Sequence, residues 1–204
     1  VDGNNPDAVA EAIAQADIMA TAVGVNVLKH IAKPLSEGLK RRKIENGNVL
    51  DIILCENLIG ADQYLAGLVR EALGPEADEV LKNIGFVEAS IGRMVPIQTP
   101  QMQEGDPLRI VTEPYAELPV DKDSFKGPIP PIATLVARSP FDFFIHRKLY
   151  LHNMGHAVAA YLGMLAGHEF LWQCMEDPKI REVVGAAMRE AAQAISLHHH
   201  LDDD

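Results

Sequence analysis

Two short, almost unbroken apolar runs constrain this chain most. Asp17–Gly24 (DIMATAVG) and Val49–Cys55 (VLDIILC) are each about a strand long, and they close on Gly24 and on Glu56-Asn57. A strand covered on both faces reads as a continuous apolar run rather than an alternating one. Parallel neighbours also need a crossover of a dozen or more residues, usually a helix. Asn26–Gly38 supplies it, with Val27, Leu28, Ile31 and Leu35 in helical phase and Pro34 placed to end or kink its first part. Asp7–Gln15 before the first run and Tyr64–Leu73 after the second read as helices, the latter stopped by Gly74-Pro75. Asp78–Ile84 reads as a further short helix, Phe86–Val95 as extended, and Leu108–Tyr115 as a partly alternating strand. Lys40-Arg41-Arg42-Lys43 reads as a solvated basic turn. This succession predicts an α/β architecture, a parallel sheet with covering helices.

The pattern changes near residue 119. Lys126-Gly127-Pro128-Ile129-Pro130-Pro131 is too poor in amide donors for a central strand. From Ser139 onward the pattern is helical, with a long apolar-rich segment over Phe141–Leu165 and another helix over Pro178–Ser196. The boundaries are drawn at 1–122 for the sheet-bearing part, 123–138 for a Pro-rich connector and 139–204 for the start of an all-helical part. The chain opens at Val1 on a loop-like segment and ends in His198-His199-His200-Leu201-Asp202-Asp203-Asp204, which reads as a piece of a longer protein.

Charge narrows the partners. Eighteen basic against 29 acidic residues leave a net charge of −11, which argues against nucleic acid, whose phosphates want a basic face. The longest stretch without formal charge, Leu149–Gly167, contains His152, Asn153 and His156, so a membrane span is not expected. Cys55 and Cys174 lie far apart with no CxxC, which reads as a reducing, cytoplasmic setting. Oligomeric state is left open. The run His198–His200 beside Asp202–Asp204 could hold a divalent cation, but adjacent residues do not share a helix face. No metal site is therefore expected, and His146, His152 and His168 read as structural.

The chemistry lies in Arg147-Lys148-Leu149-Tyr150-Leu151-His152-Asn153-Met154-Gly155-His156. On an α-helix of about 100° per residue, Lys148, His156 and Asn153 fall at roughly 0°, 80° and 140°. An ammonium, an imidazole and an amide then share one side of an apolar helix. A lysine in a dry pocket loses part of its preference for the charged form and can exchange a proton with a hydroxyl. Amide N–H groups can stabilise charge on that oxygen, and an imidazole can orient a neighbouring hydroxyl. Such a set suits alcohol oxidation or ketone reduction. Spacing alone leaves the structural reading open, in which Lys148 reaches solvent and Asn153 and His156 satisfy backbone groups.

Lys148-x4-Asn153-x2-His156, followed by Ala160-Tyr161-Leu162-Gly163, resembles the polyol-specific long-chain dehydrogenase/reductase family. Thr21-Ala22-Val23-Gly24, Cys55-Glu56-Asn57 and Val120-Asp121-Lys122 with Phe125-Lys126-Gly127 match further stretches of it, spread over almost the whole chain. The resemblance implies part of a Rossmann-type NAD-binding domain followed by the start of a helical substrate domain. It implies Lys148 as general acid/base, Asn153 and Asn57 as donors to the reacting oxygen, and His156 as a substrate contact. Ala22, Val23 and Gly24 would lie beside NAD. The similarity is strongest to members acting on mannitol 1-phosphate, which implies metal-independent hydride transfer between that sugar alcohol and fructose 6-phosphate. Two departures stand out. No G-x-G-x-x-G is formed by Gly3–Pro6 or Gly24. Ile91-Gly92-Arg93-Met94-Val95-Pro96 replaces a Val-Asp-Arg-Ile-x-Pro pattern, so Gly92 stands where an Asp would hold hydroxyls. A non-phosphorylated polyol or a hexuronate therefore remains an alternative substrate, and a non-catalytic module remains the alternative if the chain is complete.

Overall fold

A computed structural model describes residues 1–45 and 47–201. The chain divides into two compact units, Val1–Ser139 and Pro140 onward.

The first unit is built on a parallel sheet. After helix α1 (Pro6–Gln15), strands β1 (Ile18–Thr21), β2 (Leu50–Leu54) and β3 (Ile84–Glu88) lie side by side in that order. The register places Thr21 opposite Leu54 and Leu54 opposite Glu88. Helices α2 (Val25–Glu45) and α3 (Ala61–Leu73) make the crossovers, and a 3₁₀ turn (Gly74–Glu76) and short α4 (Ala77–Leu81) follow. The period-two geometry of β2 divides its contacts. Leu50, Ile52 and Leu54 pack with Leu28, Leu35 and Leu39 of α2 and Leu65 and Val69 of α3. Ile53, on the opposite face, joins Val87, Ala89 and Val120.

That opposite face is closed by a second, two-stranded parallel sheet, β4 (Leu118–Asp121) with β5 (Leu135–Arg138), linked to the first through an antiparallel bridge of Ala89 to Val120. Strand β5 thus lies within the 123–138 segment. Asp51, on the same face, is buried and accepts hydrogen bonds from the amides of Lys126 (2.8 Å) and Gly127 (3.1 Å). A Cβ on Gly85 would stand 2.1 Å from the Asp51 carboxylate, which explains a glycine inside β3.

Three expectations fail in this unit. Helix α2 does not stop near Gly38 but runs through Pro34 to Glu45. Gly38 is a packing residue, because a Cβ there would come within 2.6 Å of Ile13 of α1. Lys40–Lys43 is accordingly helical, not a solvated turn. Arg42 is only 4% exposed and donates to the carbonyls of Ala14 (2.8 Å), Ala16 (2.7 Å), Asn48 (3.1 Å) and Val49 (2.8 Å). Finally, Leu108–Tyr115 forms no strand. Side chains satisfy its backbone instead: Gln98 bonds both the N–H and the carbonyl of Val111, and the Thr112 hydroxyl donates to the Met94 carbonyl. Leu108 and Ile110, whose alternation suggested a strand, are exposed.

The second unit is helical. It runs α6 (Asp142–Arg147), a π-helical turn (Lys148–Asn153), α7 (Met154–Ala166), α8 (Leu171–Glu176) and α9 (Pro178–His198); α5 (Pro100–Gln103) precedes these in the first unit. Ala159, Cys174, Ile180 and Val184 form its core, with Val158 and Leu162 packed around them. Helices α7 and α8 approach closely at Gly163, where a Cβ would stand 2.2 Å from the Cys174 sulfur. Helix α9 starts on Asp177, whose carboxylate accepts the amides of Lys179 and Ile180, with Pro178 in the first turn. Among the described residues, no helix is long and apolar enough to cross a membrane.

Candidate active site

In the second unit, Lys148 and Asn153 are the first and last residues of the π turn. The segment expected to be one continuous helix over 141–165 is interrupted there. The amide of Met154 reaches back to the carbonyl of Leu149, an i→i+5 bond in place of i→i+4. One extra residue is thereby absorbed in the turn, so Asn153 stands over Lys148 as an i+4 residue would, at about 40° instead of 140°. By the same shift His156 falls about 20° to the other side of Lys148. The interruption narrows the arc that contains the three candidates from about 140° to about 60°.

Lys148 is half-buried, and desolvation holds its ammonium below the ordinary lysine pKa. Asn153 is also half-buried, whereas His156 is exposed. The His156 ring meets His152 edge-on, with centroids 4.7 Å apart. Both imidazoles line a cleft of about 320 Å³ that Trp172, Met175 and Met188 make largely apolar. An open apolar cleft with two imidazoles at its wall can take the carbon face of a small polar molecule and orient its hydroxyls.

In the first unit, Ala22, Val23 and Gly24 extend β1 past the carboxyl edge of the sheet, and all three are exposed. Asn57, also exposed, follows β2 at the same edge. Glu56 ties these two strand ends together. It is 4% exposed, and its carboxylate accepts from the Thr21 hydroxyl (2.6 Å) and from the Val23 amide (3.0 Å). Gly24 has φ 88°, a left-handed conformation that favours glycine at this exit from the strand, and nothing lies within 4 Å of where its Cβ would be. An open sheet binds ligands outside the carboxyl ends of its strands. Residues 22–24 are exposed at that edge, and Gly24 leaves room for close approach. Sequence reasoning placed Glu56 in a motif without a role; its signal is a lone acidic residue directly after an apolar strand.

Gly92 is covered by Tyr115, whose ring would lie 3.3 Å from a Cβ at that position. Arg93 donates from Nε to the Tyr115 carbonyl, so its guanidinium serves the loop. Glu88, at the carboxyl end of β3, accepts the Gly60 amide at 2.9 Å at the start of α3. Desolvation there raises its pKa above the ordinary carboxylate value, with Asp62 adding repulsion.

Comparison with known proteins agrees with both units. Residues 2–134 match the mannitol dehydrogenase Rossmann domain, and residues 141–203 match the mannitol dehydrogenase C-terminal domain. Among solved structures, a D-sorbitol dehydrogenase in substrate-free form superposes with a TM-score of 0.76 at 17% identity, covering 89% of this chain and 46% of that one. A Pseudomonas fluorescens mannitol 2-dehydrogenase in ternary complex with NAD and D-mannitol gives 0.73 at 18% identity, covering 91% and 46%. The chain thus spans about half the length of these two proteins, whose fold it shares. On the two domain matches together, it belongs to the mannitol dehydrogenase family.

Proposed function

We propose that the chain carries the reacting centre of an NAD-dependent polyol dehydrogenase, with Lys148 as general acid/base. The observation that supports this most is the π turn, which stacks the half-buried, desolvated Lys148 with Asn153 in one short arc. In the oxidative direction neutral Lys148 accepts the proton of the substrate hydroxyl. Asn153 donates an amide N–H to the same oxygen as negative charge develops on it. His156 bonds an adjacent hydroxyl and fixes the carbon to be oxidised. NAD, when bound, accepts the hydride from that carbon. In the first unit the proposal gives Asn57 a second amide-donor role, and gives Ala22, Val23 and Gly24 the wall for NAD, held in place by Glu56. This chemistry assigns no role to a metal. The free thiols of Cys55 and Cys174 fit a reducing, cytoplasmic setting.

For the substrate we infer the mannitol 1-phosphate and fructose 6-phosphate pair, from the motif resemblance. A second reading, a non-phosphorylated polyol or a hexuronate, is supported by Gly92, which stands where the resembled pattern has an Asp and lies under Tyr115. NADH oxidation by the full-length protein, with fructose 6-phosphate and fructose in parallel, separates the two. Turnover with the phosphorylated sugar alone is expected. Turnover with fructose alone replaces the substrate and keeps the mechanism. Lys148→Ala should lower turnover by about 10²- to 10⁴-fold with either sugar. Near-wild-type turnover in that variant removes Lys148 from the chemistry.

A further inference from the structure

Three imidazoles that the proposed reaction does not use converge in the second unit. His146 lies near the end of α6, His198 is the last residue of α9, and His199 caps that helix. Each offers one ring nitrogen, and the three nitrogens lie within 4.8 Å of one another. His146 Nδ1 and His199 Nε2 are already 2.9 Å apart. Neighbouring rings restrain them: Phe143 meets His199 edge-on at 5.3 Å, and Tyr150 packs on His146 at 5.7 Å. Adjacent histidines on a continuous helix diverge, which is why the sequence predicts no site. Here α9 ends between them, so His199 leaves the helical course, and the third imidazole comes from another helix. The neighbouring Asp202–Asp204, part of that expectation, lie outside the described residues.

We propose that His146, His198 and His199 bind a divalent transition-metal ion of the zinc class and clasp α6 to the end of α9. The donor set selects the ion. Imidazole suits zinc, cobalt, nickel and copper, whereas magnesium and calcium want oxygen ligands. Two nitrogens bound at about 2.0–2.1 Å in a tetrahedron stand about 3.3 Å apart. The His146–His199 pair is close to that edge, and the exposed His198 has freedom to move in as the third ligand. Three ligands leave the fourth position to water. The ion displaces whatever proton the His146–His199 hydrogen bond shares, and no oxidation or reduction is involved.

The test is a titration of the metal-free full chain with Co²⁺, read by its visible absorption, and with Zn²⁺ by calorimetry. One equivalent is expected to bind, with the intense visible bands of tetrahedral cobalt and a melting temperature that rises with zinc. His146→Gln and His198→Gln should each weaken binding roughly tenfold or more, since loss of a group that merely hydrogen-bonds a ligand costs about that much. His200→Gln is the control. His200 is outside the group and left-handed at φ 53°, and its variant should bind within about twofold of the parent. His198 is exposed, so its variant should keep the fold even where His146→Gln does not. The proposal is overturned by the absence of stoichiometric binding, by undiminished binding in His198→Gln, or by an equal loss in His200→Gln, which would mean capture by the terminal histidine run. The readout is metal binding alone, so its outcome is independent of the dehydrogenase reading.

Discussion

Arg42 offers the sharpest test of the first unit. Its guanidinium is desolvated, which lowers its pKa, yet the segments before β1 and before β2 both depend on it. Nη1 holds the carbonyls of Ala14 and Ala16 on one side; Nε and Nη2 hold those of Asn48 and Val49 on the other. Hydrogen bonds to a charged group contribute about 1.5–3 kcal/mol each, so four bonds would sum to about 6–12 kcal/mol. Desolvating the cation offsets several kcal/mol of that. Arg42→Met keeps the stem and removes every donor, leaving buried carbonyls unpaired, and should cost about 3–5 kcal/mol. Arg42→Lys is the more discriminating change. Its donors radiate from one nitrogen, which can serve one pair of carbonyls but not both, so about 2–3 kcal/mol should be lost. Urea unfolding of the full chain by circular dichroism measures both, and hydrogen exchange should locate the loss at Ile18–Thr21 and Leu50–Leu54. If Arg42→Lys stays within about 0.5 kcal/mol of the parent, the range of an ordinary surface change, the bridging role is wrong.

Glu56 and Glu88 yield two further expectations. Glu56→Gln keeps the shape but loses charge-assisted acceptance from Thr21 and Val23, at a cost of about 1–2 kcal/mol. It should also weaken NADH binding severalfold in a fluorescence titration, whereas a stability loss with unchanged NADH affinity would leave Glu56 a scaffold residue only. For Glu88 the folded-state pKa is raised, so its contribution to stability is complete below the ordinary carboxyl value and is lost as pH rises through the raised one. Glu88→Gln keeps an acceptor for the Gly60 amide and should gain stability relative to the parent between about pH 4 and neutrality. A difference independent of pH over that window would refute the assignment.

The parallel sheet was legible because β2 is buried along its whole length, while β1 is apolar from Ile18 to Ala20 although only Thr21 at its end is buried; inside β2 the polar Asp51 faces two backbone amides that no local pattern announces. The misreading of Lys40–Lys43 is instructive. Four consecutive cations suggest solvent, but Leu28, Ala32, Leu35, Leu39 and Arg42 succeed one another at spacings of four and three and are all buried. Periodicity carried the better signal than composition, and it pointed to Arg42 as the one cation of the four on the core face. Leu108–Tyr115 fails in the opposite sense. Its alternation is real, but Pro107 precedes it, Pro114 lies inside it, and the Gln98 side chain takes the amide and carbonyl of Val111 that a ladder would use.

The candidate site depends on a feature that residue types do not encode. Lys148–Asn153 contains neither Pro nor Gly, and nothing in Lys-Leu-Tyr-Leu-His-Asn distinguishes it from a regular helix. A regular helix would spread Lys148, His156 and Asn153 over about 140° of its circumference. The i→i+5 closure at Leu149–Met154 gives up regular hydrogen bonding, and by helix geometry the extra residue it absorbs narrows that spread to about 60°. π turns are rare and recur at functional sites, because their cost needs an offsetting gain. The π turn begins at Lys148 and ends at Asn153, two of the motif's three residues, and that coincidence is the support for the proposed catalytic reading of Lys148 over that of a lysine reaching for solvent.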